Sequence, residues 1–265
     1  MLNWRKTCIV VVLVIACHGC SSTSSAPRDA LTPDSARSAQ DTLVVSDSQG
    51  DTQLLDTALT DTFAPLPGLG DLAGACGILD EEEWQSNTPF FFRNTLDFAA
   101  ETYAVEKLSP GGQEIITDEN LGGGSLLSEA FAFEVLYRCE LATLLKTERE
   151  IDYQDIDGKK TDLLLSIDAR KVGVSVTRAY HYPAGEPYTA EEARTLLEKK
   201  LPDVLLSADN ATTADAWQRS ILHILAYDAQ HADMVQAAYE QLDAVVQDKT
   251  IVVVTVTEGQ DSHIY

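Results

Sequence analysis

KKTDLLLSIDARKVGVSVTRAY, residues 159–180, holds two runs of strand-forming residues around a short polar break. Thr161–Asp168 predicts one strand, Ala169–Arg170 the turn, and Lys171–Arg178 the next strand. Alternate residues of a strand share a face. Val172, Val174 and Val176 therefore face a core, and Gly173, Ser175 and Thr177 face the other way. Asp162 stands at the entrance to the first of these strands.

Upstream, Ser125–Lys146 carries Leu127, Phe131, Val135, Leu136, Leu141, Leu144 and Leu145 at helical spacing. Ser125 or Ser128 would cap that helix. Ile151 and Tyr153 then predict a strand, followed by Asp155-Ile156-Asp157-Gly158, whose Asp-Gly pair signals a hairpin turn. Downstream, Thr189–Leu201 reads as a helix with Thr189 as cap and Glu192 completing a capping box. Ala214–Val246 carries a long helical pattern interrupted near Ala232. Ile251–Val256 is apolar throughout, as a strand buried on both faces requires. Between 76 and 124 the signals are mostly breaks: Asn87-Thr88-Pro89, Ser109-Pro110-Gly111-Gly112 and Gly122–Gly124 predict turns or loops, with Phe90–Phe92 buried and Glu81–Glu83 starting a helix. The glycine run lacks the Gly-Lys-Ser/Thr ending of a phosphate loop. The expected class is α/β, with α+β as its neighbour. A mixed sheet of four or more strands is flanked by helices, in the order helix-strand-strand-strand-helix-strand.

That order, with Asp162 opening the second strand, resembles the PD-(D/E)XK, or restriction-endonuclease-like, superfamily over residues 125–256. The resemblance implies a divalent metal, Mg²⁺ or Mn²⁺, held by Asp162 and by a carboxylate on the third strand. It also implies a lysine two residues later on the same face. Those two positions hold Ser175 and Thr177. A hydroxyl is a weak neutral ligand and threonine carries no ammonium, so the motif is degenerate. Glu129 and Glu134 on the preceding helix are the replacement metal ligands to examine, and Lys159, Lys160 and Arg178 the replacement cations.

Other constellations carry less. His223, Tyr227 and His231 recur every four residues and would line one helix face. His223 and His231 would then lie about 12 Å apart and could not share an ion. Asp155-Ile156-Asp157-Gly158 lacks the other acids of a calcium loop.

The amino terminus, MLNWRKTCIVVVLVIACHGCSS, has Arg5 and Lys6 before an apolar run too short to span a bilayer. Its end, Val14-Ile15-Ala16-Cys17, resembles the bacterial lipobox. The resemblance implies cleavage after residue 16 and lipidation of Cys17, with Cys20 as the alternative anchor. Residues 17–67 then form a tether rich in Ser, Thr and Asp, too polar to build a core. As a coil it would reach roughly 35–40 Å. Residues 68–265 form one globular domain. Cys76 and Cys139 either pair as a disulfide, which persists outside the cytoplasm, or remain as two buried thiols.

The net charge is −23, from 42 acidic and 19 basic residues. Such a surface repels phosphate backbones, which argues against general nucleic-acid binding. The expectation is an extracytoplasmic, lipid-anchored protein of the cell envelope, at the outer membrane. It would carry a non-catalytic binding or structural module for an envelope or extracellular protein partner. The alternative is a divergent metal-dependent nuclease using Asp162.

Overall fold

The computed structural model describes residues 64–265 apart from 122, 123 and 184. The signal segment, Cys17, Cys20 and the tether up to residue 63 lie outside the described residues.

Among the described residues, seven strands form one sheet: β1 (Asp71–Gly74), β2 (Phe90–Asp97), β3 (Thr143–Thr147), β4 (Leu163–Ile167), β5 (Arg170–Ala179), β6 (Arg219–Ala226) and β7 (Ile251–Glu258). Their order across the sheet is β1-β2-β7-β6-β5-β4-β3. The four central strands, β2, β7, β6 and β5, are parallel. β1 at one edge, and β4 and β3 at the other, run antiparallel to their neighbours. The helices are α1 (Glu81–Gln85), α2 (Pro110–Asp118), α3 (Leu126–Glu140), α4 (Ala190–Asn210), α5 (Ala229–Tyr239) and α6 (Ala244–Gln247).

Alternation along the strands divides the interior into two cores. Val172, Val174 and Val176 of β5 join Ile221, Leu225, Ile251 and Val253 against Phe131 and Val135 of α3. Leu222, Ile224, Val252, Val254 and Val256 point the other way, against Leu197 and Leu201 of α4 and Val235 of α5.

The architecture is the expected mixed α/β class, and α3-β3-β4-β5-α4-β6 runs helix-strand-strand-strand-helix-strand. Several elements are built from residues other than those expected. Helix α3 stops at Glu140 because Leu141 takes a left-handed conformation (φ 52°) that reverses the chain. The next residues become β3, so the first strand of the meander is Thr143–Thr147 rather than the segment at Ile151 and Tyr153. Leu141 and Leu145, assigned to the helical stripe, are exposed. Asp155–Gly158 does turn, with Gly158 N–H on Asp155 O at 3.1 Å, but it packs on the end of α4, where Asp155 N–H meets Asn210 Oδ1 at 2.9 Å. The β4–β5 turn lies one residue earlier than expected, at Asp168 and Ala169 (φ 49° and 60°), with Ile167 paired to Arg170. Two consecutive positive φ values match the twist of a two-residue hairpin.

Ser109–Gly112 is the start of a helix rather than a loop. Ser109 caps α2 and Pro110 opens it, the position where a missing N–H costs nothing. Gly111 and Gly112 lie directly against Phe133 and Glu134 of α3, and a Cβ at either would overlap them.

The largest departure is β6. Residues 214–246 were expected to be helical, yet Arg219–Ala226 is a strand with all eight residues buried. Helices resume only at Ala229 and at Ala244. A strand between two parallel neighbours needs apolar side chains on both faces, so it shows no alternation. Helix α4 begins with the expected Thr189–Glu192 capping box but continues through Pro202 to Asn210.

Cys76 and Cys139 are joined in a disulfide across a sequence separation of 63. Closing a loop of that length removes unfolded-state entropy worth about 4 kcal/mol. Next to it, Arg138 donates to the carbonyls of Leu66 (2.8 Å), Leu69 (3.0 Å) and Gly70 (2.8 Å), holding the entering chain on α3.

Candidate functional site

Asp162 directly precedes β4. Its carboxylate replaces a strand carbonyl: Oδ2 accepts the Val176 N–H at 2.6 Å, while its own N–H donates to Val174 O at 3.1 Å. The acid is therefore fixed against β5 by the hairpin register. Burial, and then the charge of Glu129, push its carboxyl up to about 7, with Glu148 adding to the rise and Lys200 opposing it.

Glu129 lies in the first turn of α3 and is buried. Its Oε1 accepts from Asn120 Nδ2 at 2.5 Å and from Ser125 Oγ at 2.7 Å. Burial raises its pKa above the ordinary glutamate value, and the Glu148 charge adds to this. Glu134 is turned elsewhere. Its Oε1 accepts the N–H (2.8 Å) and Oγ–H (2.6 Å) of Ser109 and so anchors the start of α2. Of the two glutamates proposed as metal ligands, Glu129 is thus the one whose charge bears on Asp162.

Glu148, just past β3, was not singled out in the sequence. It accepts the Leu121 N–H at 3.0 Å and lines a cleft of about 400 Å³ with Arg149, Ile151, Asp152, Tyr153, Ile156 and Lys160. Tyr153 borders the same site. Its hydroxyl bridges the backbone of Thr161, accepting from the N–H at 2.9 Å and donating to the carbonyl at 3.2 Å. No local pattern marks Glu148, because it follows a strand that appears in the sequence as the end of a helix.

The two signature positions on β5 hold no charge. Ser175 is buried, and its hydroxyl pairs with that of Thr161 at 3.1 Å. Thr177 faces a different cleft, with Arg178, Tyr180 and Tyr265. Two of the replacement cations are engaged elsewhere, Lys159 with Asp203 at 3.0 Å and Arg178 on Ile264 O at 2.7 Å, while Lys160 lines the Glu148 cleft, 5.9 Å from the Tyr153 ring centroid. The cation whose field reaches Asp162 is Lys200 of α4. Among the described residues, no three His, Cys, Asp or Glu side chains gather closely enough to hold a metal ion.

The histidine face dissolves in three dimensions. His223 is inside β6, Tyr227 follows the strand, and His231 is in α5. His223 is fully buried, with Nε2 on Thr255 Oγ1 at 2.7 Å and Nδ1 without a protein partner. Burial pushes its pKa down to about 3, so it is a neutral core residue. His231 pairs through Nδ1 with Asp228 at 2.7 Å and stacks on Tyr188.

No protein-family model matches this chain, and no solved structure matches it. Among curated proteins, one from Dictyostelium discoideum described as "AAC-rich mRNA clone AAC4 protein" is 37% identical over 153 residues. The match takes in 56% of this chain and 22% of that protein, so the chain spans about a fifth of its relative's length.

Proposed function

We propose that this chain is a lipid-anchored, extracytoplasmic protein of the cell envelope, displaying a binding or structural module on a degenerate nuclease-like scaffold. The observation that carries the non-catalytic reading is the state of β5. The position for a second metal-binding carboxylate holds Ser175, whose hydroxyl is taken by Thr161, and the position for the lysine holds Thr177. The Cys76–Cys139 disulfide supports an oxidising compartment. The lipobox-like Cys17 supports anchoring at the outer membrane, where an envelope or extracellular protein is the natural partner. The test is incubation of the chain and of Asp162→Asn with single- and double-stranded DNA and RNA in Mg²⁺ or Mn²⁺. Equal, background-level cleavage is expected. Cleavage lost in the variant would overturn the reading.

One observation favours the alternative, a divergent metal-dependent phosphodiester hydrolase: the charges of Glu129 and Glu148 both raise Asp162, and Glu148 lines a cleft. Mg²⁺ is commonly held by one or two carboxylates and water. Asp162 and Glu129 are the residues that would hold it, and the bound ion would supply an activated water.

A further inference from the structure

The carboxyl ends of the parallel strands carry a second cleft, of about 330 Å³, lined by Thr177, Arg178, Tyr180 and Tyr265. In open α/β sheets this is the edge where ligands enter. Tyr180 follows β5, Tyr227 follows β6, and Tyr265 returns over the same edge after β7. Their ring centroids lie 5.3 Å (Tyr180–Tyr227), 5.0 Å (Tyr180–Tyr265) and 5.1 Å (Tyr227–Tyr265) apart. At these spacings the rings touch one another. They form one aromatic cluster, its rings tilted 57°, 34° and 84° to one another, of which Tyr180 and Tyr265 line the cleft.

Among the lining side chains, Arg178 carries the charge. Arg178 uses Nη1 to hold Ile264 O at 2.7 Å, one bond from a guanidinium with five N–H donors. The acids whose charges reach Tyr265 are Asp261 and Asp228. Asp261 accepts the Thr257 hydroxyl at 2.7 Å, and Asp228 caps α5 and pairs with His231. Both carboxylates are thus engaged on groups outside the cleft lining.

We infer that this cleft binds a small planar carboxylate, its ring laid against Tyr180 and Tyr265 and its carboxylate received by Arg178. The pairing follows from the lining. A guanidinium recognises carboxylate geometry through paired N–H donors, and an aromatic face selects a flat apolar body. The site stands whether or not Asp162 is catalytic, because its lining includes neither Asp162 nor any residue of the Glu148 cleft.

The test is a ¹H–¹⁵N NMR titration of the full chain with benzoate, set against acetate, phosphate and benzylamine. Benzoate should bind saturably, with Kd on the order of 1 mM, as suits a ligand this small. Acetate, phosphate and benzylamine should bind at least about tenfold more weakly, and the shifts should centre on residues 177–180 and 265. Arg178→Gln should weaken benzoate about tenfold. Because Arg178 also holds the Ile264 carbonyl, Tyr180→Ala provides a second reading that leaves that bond in place, and it should weaken benzoate by a similar factor. The absence of saturable benzoate binding would overturn the assignment. So would equal binding of acetate or phosphate, tighter binding of benzylamine, or benzoate affinity unchanged in Tyr180→Ala. None of these outcomes depends on nucleic-acid cleavage, so a failure here is distinguishable from a failure of the functional reading above.

Discussion

The sheet buries two titratable groups in two ways. At the β4–β5 hairpin, Asp162 is half-buried and held by a backbone N–H, with other acids nearby. In β6, His223 is fully buried, three strands inside the antiparallel edge, and shares one hydroxyl with β7. Burial disfavours the charged form in both cases, so the acid rises to about 7 and the histidine falls to about 3. Burial alone therefore does not identify a functional group. What separates the two is company: the charges of Glu129 and Glu148 act on Asp162, whereas His223 has Thr255 and apolar core.

The strongest way to break the hairpin half is to push β5 away from the segment that covers it. Gly173 lies directly against the Trp217 indole, and any Cβ there would overlap the ring. Gly173→Val should cost about 3 kcal/mol in urea unfolding, at the upper end for overpacking.

On the β6 side, His223→Leu leaves Thr255 Oγ1 buried without its partner, a loss of about 1–3 kcal/mol. Adding Thr255→Val should recover much of it, since removing both partners of a buried hydrogen bond is far less costly than removing one.

The two groups also predict opposite pH slopes. The folded pKa of Asp162 lies above its unfolded value of 3.8. Its contribution is therefore complete below about pH 3.8 and is lost as pH rises through about 7. The folded pKa of His223 lies below its unfolded value of 6.5. Its contribution is complete above pH 6.5 and is lost as pH falls toward 3. Each slope reaches at most about 1.4 kcal/mol per pH unit. Unfolding measured from pH 4.5 to 7.5 should show Asp162→Asn losing stability more steeply on acidification than the parent, and His223→Leu less steeply. Parallel curves for all three proteins would show that neither group titrates differently on folding.

The smallest effect is expected at Ser175. Ser175→Ala removes one hydroxyl–hydroxyl bond to Thr161 and should cost about 1 kcal/mol. Chemical denaturation at pH 7 would resolve it.

The same contrast explains what could be read locally. The β4–β5 hairpin alternates, so its strands, its core-facing valines and the place of Asp162 follow from side-chain order alone. The Thr189–Glu192 cap is equally local, because its two side chains satisfy each other within one turn. β6 is different. Ser220-Ile221-Leu222-His223-Ile224-Leu225 is buried on both faces, and periodicity cannot tell such a run from a buried helix. The reading of His223, Tyr227 and His231 as one face failed with it. β3 was missed because Leu144 and Leu145 fit a helical stripe until Leu141 reverses the chain. Glu148 was missed in turn, since its nearness to Asp162 comes from that reversal.

By itself, then, the sequence determined the elements whose reason is local: the β4–β5 hairpin with Asp162 at its mouth, the cap of α4, the apolar β7, and a β5 that offers hydroxyls where the resembled motif has charges. Tertiary structure alone decided that 219–226 is a strand, that the charge of Glu129 rather than Glu134 bears on Asp162, and that three tyrosines far apart in the chain cluster near Arg178. The physical reason is the same in each case. Hydrogen bonds and alternation within a turn or hairpin are fixed by neighbours in sequence. A buried central strand, an acid raised by the charges of two distant glutamates and a cleft at the strand ends exist only once the sheet has brought distant segments together.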